Sequence, residues 1–210
     1  MTYVKASVRR PAGNPGNGIQ PKDQLVIYDV DDILSFPPRN EAGVVIEEDI
    51  VMKAGRYAIS IYLTPGTAEI SSNSDGETDA EGYTPSVKFN HPGNEQEIRE
   101  FKTNWLSKKC IVVLRYCSGK PADLIGTPCN PCKLSVSYTG SNESNTNELT
   151  FTQISKGDDI AIYRGTDTLE EPVAVVEAGA TDIDYQTDGQ YQLSAGAAKI
   201  AGVTGGSHGS

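Results

Sequence analysis

Two rhythms of apolar residues run along this chain, and they are very unequal in extent. Period-two alternation and short continuous apolar runs fill most of it. Residues 24–30, 57–63 and 110–117 have the length and the β-branched, aromatic content of strands. Residues 84–91 form another strand, and Pro92-Gly93 breaks it. Residues 133–140 and 148–155 alternate cleanly, with Leu149, Phe151 and Ile154 on the inner side. They predict a hairpin with a long polar tip across 140–147. Val44 to Met52 reads as one strand interrupted by Glu47, Glu48 and Asp49. Weaker strands are expected near 160–164, at 173–176 and within 184–193. Residues 118–131 read as a Gly/Pro-rich loop.

The second rhythm occurs once. Ile98, Phe101, Trp105 and Leu106 recur at i, i+3, i+7 and i+8, which is one face of a helix over 94–106. Asn94 stands as its N-cap, with Glu97 three residues on as the acid of a capping box. Glu95, Glu97 and Glu100 lie near the positive end of the helix dipole, and Lys108-Lys109 near the negative end. The pattern predicts a mainly β fold, a sandwich or barrel with one amphipathic helix packed on it. The core spans 25–165. A turn-rich N-terminal arm (1–24) precedes it, and a weakly patterned extension (166–210) follows.

Composition adds the loops. Gly and Pro supply 33 of 210 residues, and apolar residues only 37%. That suits a modest core wrapped in turns. No apolar run reaches the length of a membrane span, and the first residues lack the apolar core of a secretory signal. The net charge is −10. Residues 41–100 hold 12 acids against Lys53, Arg56, Lys88 and Arg99. Such a balance makes the chain a poor candidate for ordinary nucleic-acid binding, where cations on phosphate supply most of the affinity.

Candidate chemistry is sparse. Cys110, Cys117, Cys129 and Cys132 carry one C-x-x-C spacing, which matches a structural zinc site poorly. The odd separation of Cys110 and Cys117 sends them to opposite faces of a strand. Reduced structural cysteines are the expectation; a crosslink and a metal or redox site are the alternatives. Asp75, Glu77, Asp79 and Glu81 share one face if their segment is extended. The stretch from 68 to 82 reads as a solvent-facing strand and hairpin or as a mobile loop; with Glu69 its acids form a solvated acidic face, and the alternative, a Ca²⁺ loop, lacks the spacing of an EF-hand. The acid pairs Asp31-Asp32 and Asp158-Asp159, like Glu47 to Asp49, read as surface turns. Only His91 and His208 are available as imidazoles, and His91 reads as a hydrogen-bonded turn residue. No hydrolase, P-loop, zincin or dinucleotide motif is present. The expectation is a non-enzymatic protein without cofactor or metal.

The order of elements resembles that of the phage tail tube protein family, whose fold is shared with the tube protein of type VI secretion. The residues that carry the likeness are 87–106, 111–114, 134–138 and 148–152, within a span from Leu25 to Arg164. The four cysteines and the segment after Thr166 depart from the family pattern. The resemblance implies a virion protein assembled in the host cytoplasm. Copies would form hexameric rings that join their sheets, stack through loops and arms, and contact other tail proteins. DNA would pass through the acidic channel without specific binding, and no membrane is involved. It makes Glu69, Asp75, Glu77, Asp79 and Glu81 a lumen- or ring-facing loop, and the 9–21 segment an arm to the adjacent ring. Other readings of the same pattern are a head decoration or head–tail completion protein and a glycan-binding β-sandwich. A C-x-x-C redox protein is a further one.

Overall fold

The computed structural model describes residues 6–13, 16–117 and 119–169, together with the backbone of Ile183–Tyr185 and Tyr191–Leu193. The chain divides into two compact units, Met1–Glu170 and Glu171–Ser210. The described part of the second is one antiparallel hairpin, β13 (Ile183–Tyr185) with β14 (Tyr191–Leu193). Of the sequence expectations there, the strand at 173–176 and the tail histidine lie outside the described residues.

The first unit is mainly β, with one α-helix among the described residues. No described helix is long and apolar enough to cross a membrane. Its strands are β1 (Pro21–Asp29), β2 (Ile33–Ser35), β3 (Val45–Ile46), β4 (Val51–Met52), β5 (Ile59–Tyr62), β6 (Glu69–Asp75) and β7 (Gly82–Pro92). After the helix α1 (Gln96–Trp105) come β8 (Cys110–Tyr116), β9 (Ala122–Ile125), β10 (Cys132–Gly140), β11 (Asn145–Gln153) and β12 (Ala161–Tyr163). The large sheet runs β3-β12-β9-β8-β10-β11-β7-β6, with β1 paired to β8 and β5 to β1. β2 and β4 form a separate ribbon.

The sheet branches at β8. Cys110 pairs with Cys132 of β10, while Val112 to Leu114 pair with β9. The other edge of β8 carries β1, in register from Leu25↔Leu114 to Asp29↔Cys110. A continuous apolar run such as Cys-Ile-Val-Val-Leu is what a strand buried on both faces requires. Leu25, Ile27, Val112 and Leu114 face one core, with Val87, Phe89, Leu134, Leu149 and Phe151. Val26, Tyr28, Ile111 and Val113 face another, with Ile46, Ile50, Ala58, Leu124 and Tyr163. One ribbon therefore divides two cores. At the branch, Gly126 (φ 92°) lets the chain pass close to Cys132; a Cβ there would stand 3.1 Å from its Sγ.

The helix forms where its periodicity places it, but its ends differ. Glu95 is the N-cap and makes no side-chain capping bond. Asn94 does not cap the helix: its side-chain oxygen accepts from Lys102 Nζ at 2.8 Å, and its carbonyl accepts from Arg99 at 2.7 Å. Ile98 is buried in the first core, and Phe101 and Trp105 pack on it partly buried. Their rings stack at 5.8 Å. Leu106 leaves the packing face, because it is the C-cap and 54% exposed.

Five other expectations are corrected. Residues 21–24, assigned to the arm, begin β1. Residues 44–52 fold as two strands in different sheets, since three successive acids cannot share a buried ladder. The 118–131 loop contains β9, a four-residue strand too short to show alternation. The β10–β11 hairpin turns within residues 141–144, so its polar tip is short and its strands run into the polar sequence. Ile154 lies just past β11 and is exposed.

Candidate functional site

Of the two readings of the acidic stretch, the strand and hairpin holds, and the turn between its arms breaks the run of carboxylates on one face. β6 ends at Asp75, and a turn closed by Ala80 N–H to Glu77 O (2.9 Å) leads into β7. Gly76 (φ 143°) could not carry a Cβ, which would meet Ala80 O at 2.2 Å. Asp79 sits at φ 70°, a left-handed conformation that Asp tolerates. Glu69, Asp75, Glu77, Asp79 and Glu81 are all exposed. Glu69 reaches Lys88 at 3.7 Å, and Asp75 reaches Lys156 at 3.1 Å. Lys156 holds the Asp75 carboxyl below the usual carboxylate range, by hydrogen bond first and by charge second. The base of the hairpin is braced by Ser72 Oγ on Asp159 Oδ1 (2.5 Å).

β6 ends the strand order of the large sheet. The direction of its free backbone groups follows from β7. Tyr83 exchanges both backbone hydrogen bonds with Gly157, at 2.9 and 3.0 Å, on the side away from β6. Backbone groups alternate along a strand, so Thr84 faces β6, where it is the partner of Asn73. Ser72, the partner of Pro85, therefore turns its N–H away from β7, as do Ile70 and Ser74. Among the described residues no strand pairs with this edge, so β6 presents outward donors with acids only at its two ends, a template for another strand.

A second polar feature lies under the helix. The register Tyr138↔Asn147↔His91 sets one row across β10, β11 and β7, on the face that carries Leu149 and Phe151. Asn147 is fully buried. Its Nδ2 donates to Gly93 O at 2.5 Å, and its Oδ1 accepts from Lys102 Nζ at 2.6 Å. The Lys102 ammonium also lies 5.2 Å from the centre of the Tyr138 ring. Burial, and then Arg99, lower the Lys102 pKa. His91 Nδ1 is buried without a hydrogen-bond partner. Burial lowers its pKa as well. Sequence reading overlooked Lys102 and Asn147. The signal was parity: Asn147 falls two residues before inward-facing Leu149.

The cysteines do not converge on a site. All four are free; Cys110 and Cys132 are buried, Cys117 and Cys129 exposed. Cys110 donates to Cys132 O at 3.4 Å. Burial pushes the Cys110 thiol up to about 12 and the Cys132 thiol higher still, so neither forms a ready thiolate. Among the described residues no three His, Cys, Asp or Glu side chains group as metal ligands.

A third polar cluster closes the second core. Asp167 accepts from Tyr28 Oη (2.5 Å) and from Arg115 Nε, and Arg115 also donates to Gly165 O (2.8 Å). Glu47 binds Arg164 at 3.0 Å, and Asp49 accepts from Thr166 N–H at 2.6 Å. Two of the acids assigned to a surface turn thus fasten the 164–169 segment, whose end pairs with Ala58.

In comparison with known proteins, the chain matches no family model, no curated protein and no solved structure.

Proposed function

We propose that the chain is a structural tail tube subunit of a tailed bacteriophage, a β-sandwich that self-assembles into stacked, hexameric rings around a DNA channel. The observation that carries this reading is the open β6 edge running into the acidic tip. One hairpin thereby offers a neighbour a strand template and offers a channel a repelling surface. A strand from a second copy would pair with the outward groups of Ile70, Ser72 and Ser74. Ring closure satisfies every such edge, which a monomer leaves exposed. Six or more copies of Glu77, Asp79 and Glu81 around a lumen would build a negative field that keeps DNA from adhering. The 9–21 segment, with Arg9 and Arg10 exposed, would reach the adjacent acidic ring. On this reading the protein carries no catalysis.

The reading is tested by sedimentation and negative-stain microscopy of the purified full chain at rising concentration. Rings or tubes support it. Monodisperse monomer at high concentration removes it.

A further inference from the structure

The polar row beneath α1 is unusual in its chemistry. An amine is held against a carboxamide, and the amine has no carboxylate partner among the described ion pairs. We propose that Lys102 and Asn147 form a spontaneous isopeptide crosslink, tying the helix covalently to the centre of the sheet.

The reaction needs no partner beyond the chain. Lys102 Nζ, after losing a proton, attacks Asn147 Cγ. The Nζ–Cγ bond forms, the Cγ–Nδ2 bond breaks, and the asparagine nitrogen leaves. Lysine gives up two protons in all. The departing nitrogen takes up two and leaves as ammonium. No oxidation state changes.

Four features of the site favour it. First, Nζ already lies 2.6 Å from Oδ1, the atom bonded to the reacting carbon. A shift to roughly 3–3.5 Å from that carbon gives a near-attack arrangement, and such pre-orientation replaces a bimolecular encounter. Second, the Lys102 contacts are two amide oxygens and a ring face, none of which fixes the ammonium as a carboxylate would. Third, the Asn147 amide is fully buried and oriented by Gly93 O, so water is kept from competing for Cγ. Fourth, His91 is the register partner of Asn147 and has a buried, unpartnered ring nitrogen. A neutral imidazole there can take the lysine proton, directly or through one water. Lys102 reaches Asn94 too, but Asn94 is only partly buried and lies outside the strands. Its amide is less shielded from water.

The test is the intact mass of the full chain under denaturing conditions, followed by peptide mapping. The expected result is a protein lighter by one molecule of ammonia, with a branched peptide joining Lys102 to Asn147. Lys102→Arg and Asn147→Ala should each have full mass. His91→Gln should form the crosslink about 100-fold more slowly, the contribution of a positioned base. Full mass in the wild-type protein after prolonged incubation overturns the proposal. So does an ammonia loss that maps elsewhere, such as a succinimide at Asn17-Gly18. Because the wild-type mass decides the matter, a variant that fails to fold does not leave the question open.

Discussion

The two faces of the β1–β8 ribbon are closed in different ways. One face meets other strands and a helix, and its lid is mostly apolar: Ile98, Phe101 and Trp105 belong to one cluster with Phe89, Leu149 and Phe151, with the Lys102–Asn147 pair at its edge. The other face meets short strands and irregular chain. Irregular backbone cannot satisfy its own polar groups, so this side is fastened by named polar contacts. Tyr28, Arg115 and Asp167 converge there, and Tyr163 Oη accepts from Ile50 N–H at 3.2 Å. Regular structure satisfies its own backbone groups and can be covered largely by apolar packing. A loop-built lid needs specific bonds to stay in one place.

If that contrast is right, the polar side should be the more fragile to single changes. Asp167→Ala leaves the Arg115 guanidinium and the Tyr28 hydroxyl without their common acceptor. It should cost about 3 kcal/mol, the low end for breaking a buried pair, because Arg115 is partly exposed. Chemical denaturation reads this directly, and a loss under about 1 kcal/mol would show that the segment is held by other means. On the apolar side, Ile98→Ala should cost about 2–3 kcal/mol, as a cavity under a helix that can partly settle. Trp105→Ala should cost about half of a fully buried tryptophan's 3–5 kcal/mol, because the ring is only partly covered. Equal losses at Ile98 and Trp105 would mean that the helix seats deeper than described.

The row under the helix sharpens the contrast through pH. Burial holds the His91 pKa below its ordinary 6.5. The unfolded chain then binds the proton more readily than the folded one, so folding favours neutral His91. This contribution is complete above about pH 6.5 and is lost as pH falls through the folded value. Urea midpoints measured from pH 7.5 to 5 should fall more steeply for the wild type than for His91→Gln. Parallel curves would show that the ring nitrogen finds solvent. The smallest stability effect is expected at Ser72→Pro. Its N–H points away from β7, so the hairpin keeps its ladder and loses only the Asp159 contact, about 1 kcal/mol. On the proposed reading assembly should nevertheless fail, since an outward donor of the edge strand is gone.

How legible this was depends on which residues decide each feature. The helix was readable because three of its four apolar positions are packing contacts, and the β class because strands such as 110–116 are long and apolar. The helix ends were not. Asn94 has the type of a cap, yet Lys102 claims its side chain from eight residues away, a tertiary contact no local rule contains. Leu106 obeyed the helical period but fell on the residue where the helix stops. Strand β9 was hidden by brevity, and the roles of Glu47 and Asp49 by distance, since their partners are 117 residues on. The acidic hairpin was located correctly as a polar segment, while its turn, set by Gly76, removed the common face that alternation suggested. The buried row was readable only from Asn147 standing at an inward position.

On the proposed reading the β6 edge serves assembly. Negative-stain microscopy of the full chain beside its folded Ser72→Pro variant tests it most directly. Rings or tubes from the wild type and dispersed subunits from the variant are the predicted result. A wild type that stays monomeric at high concentration, or a variant that assembles equally well, would contradict it.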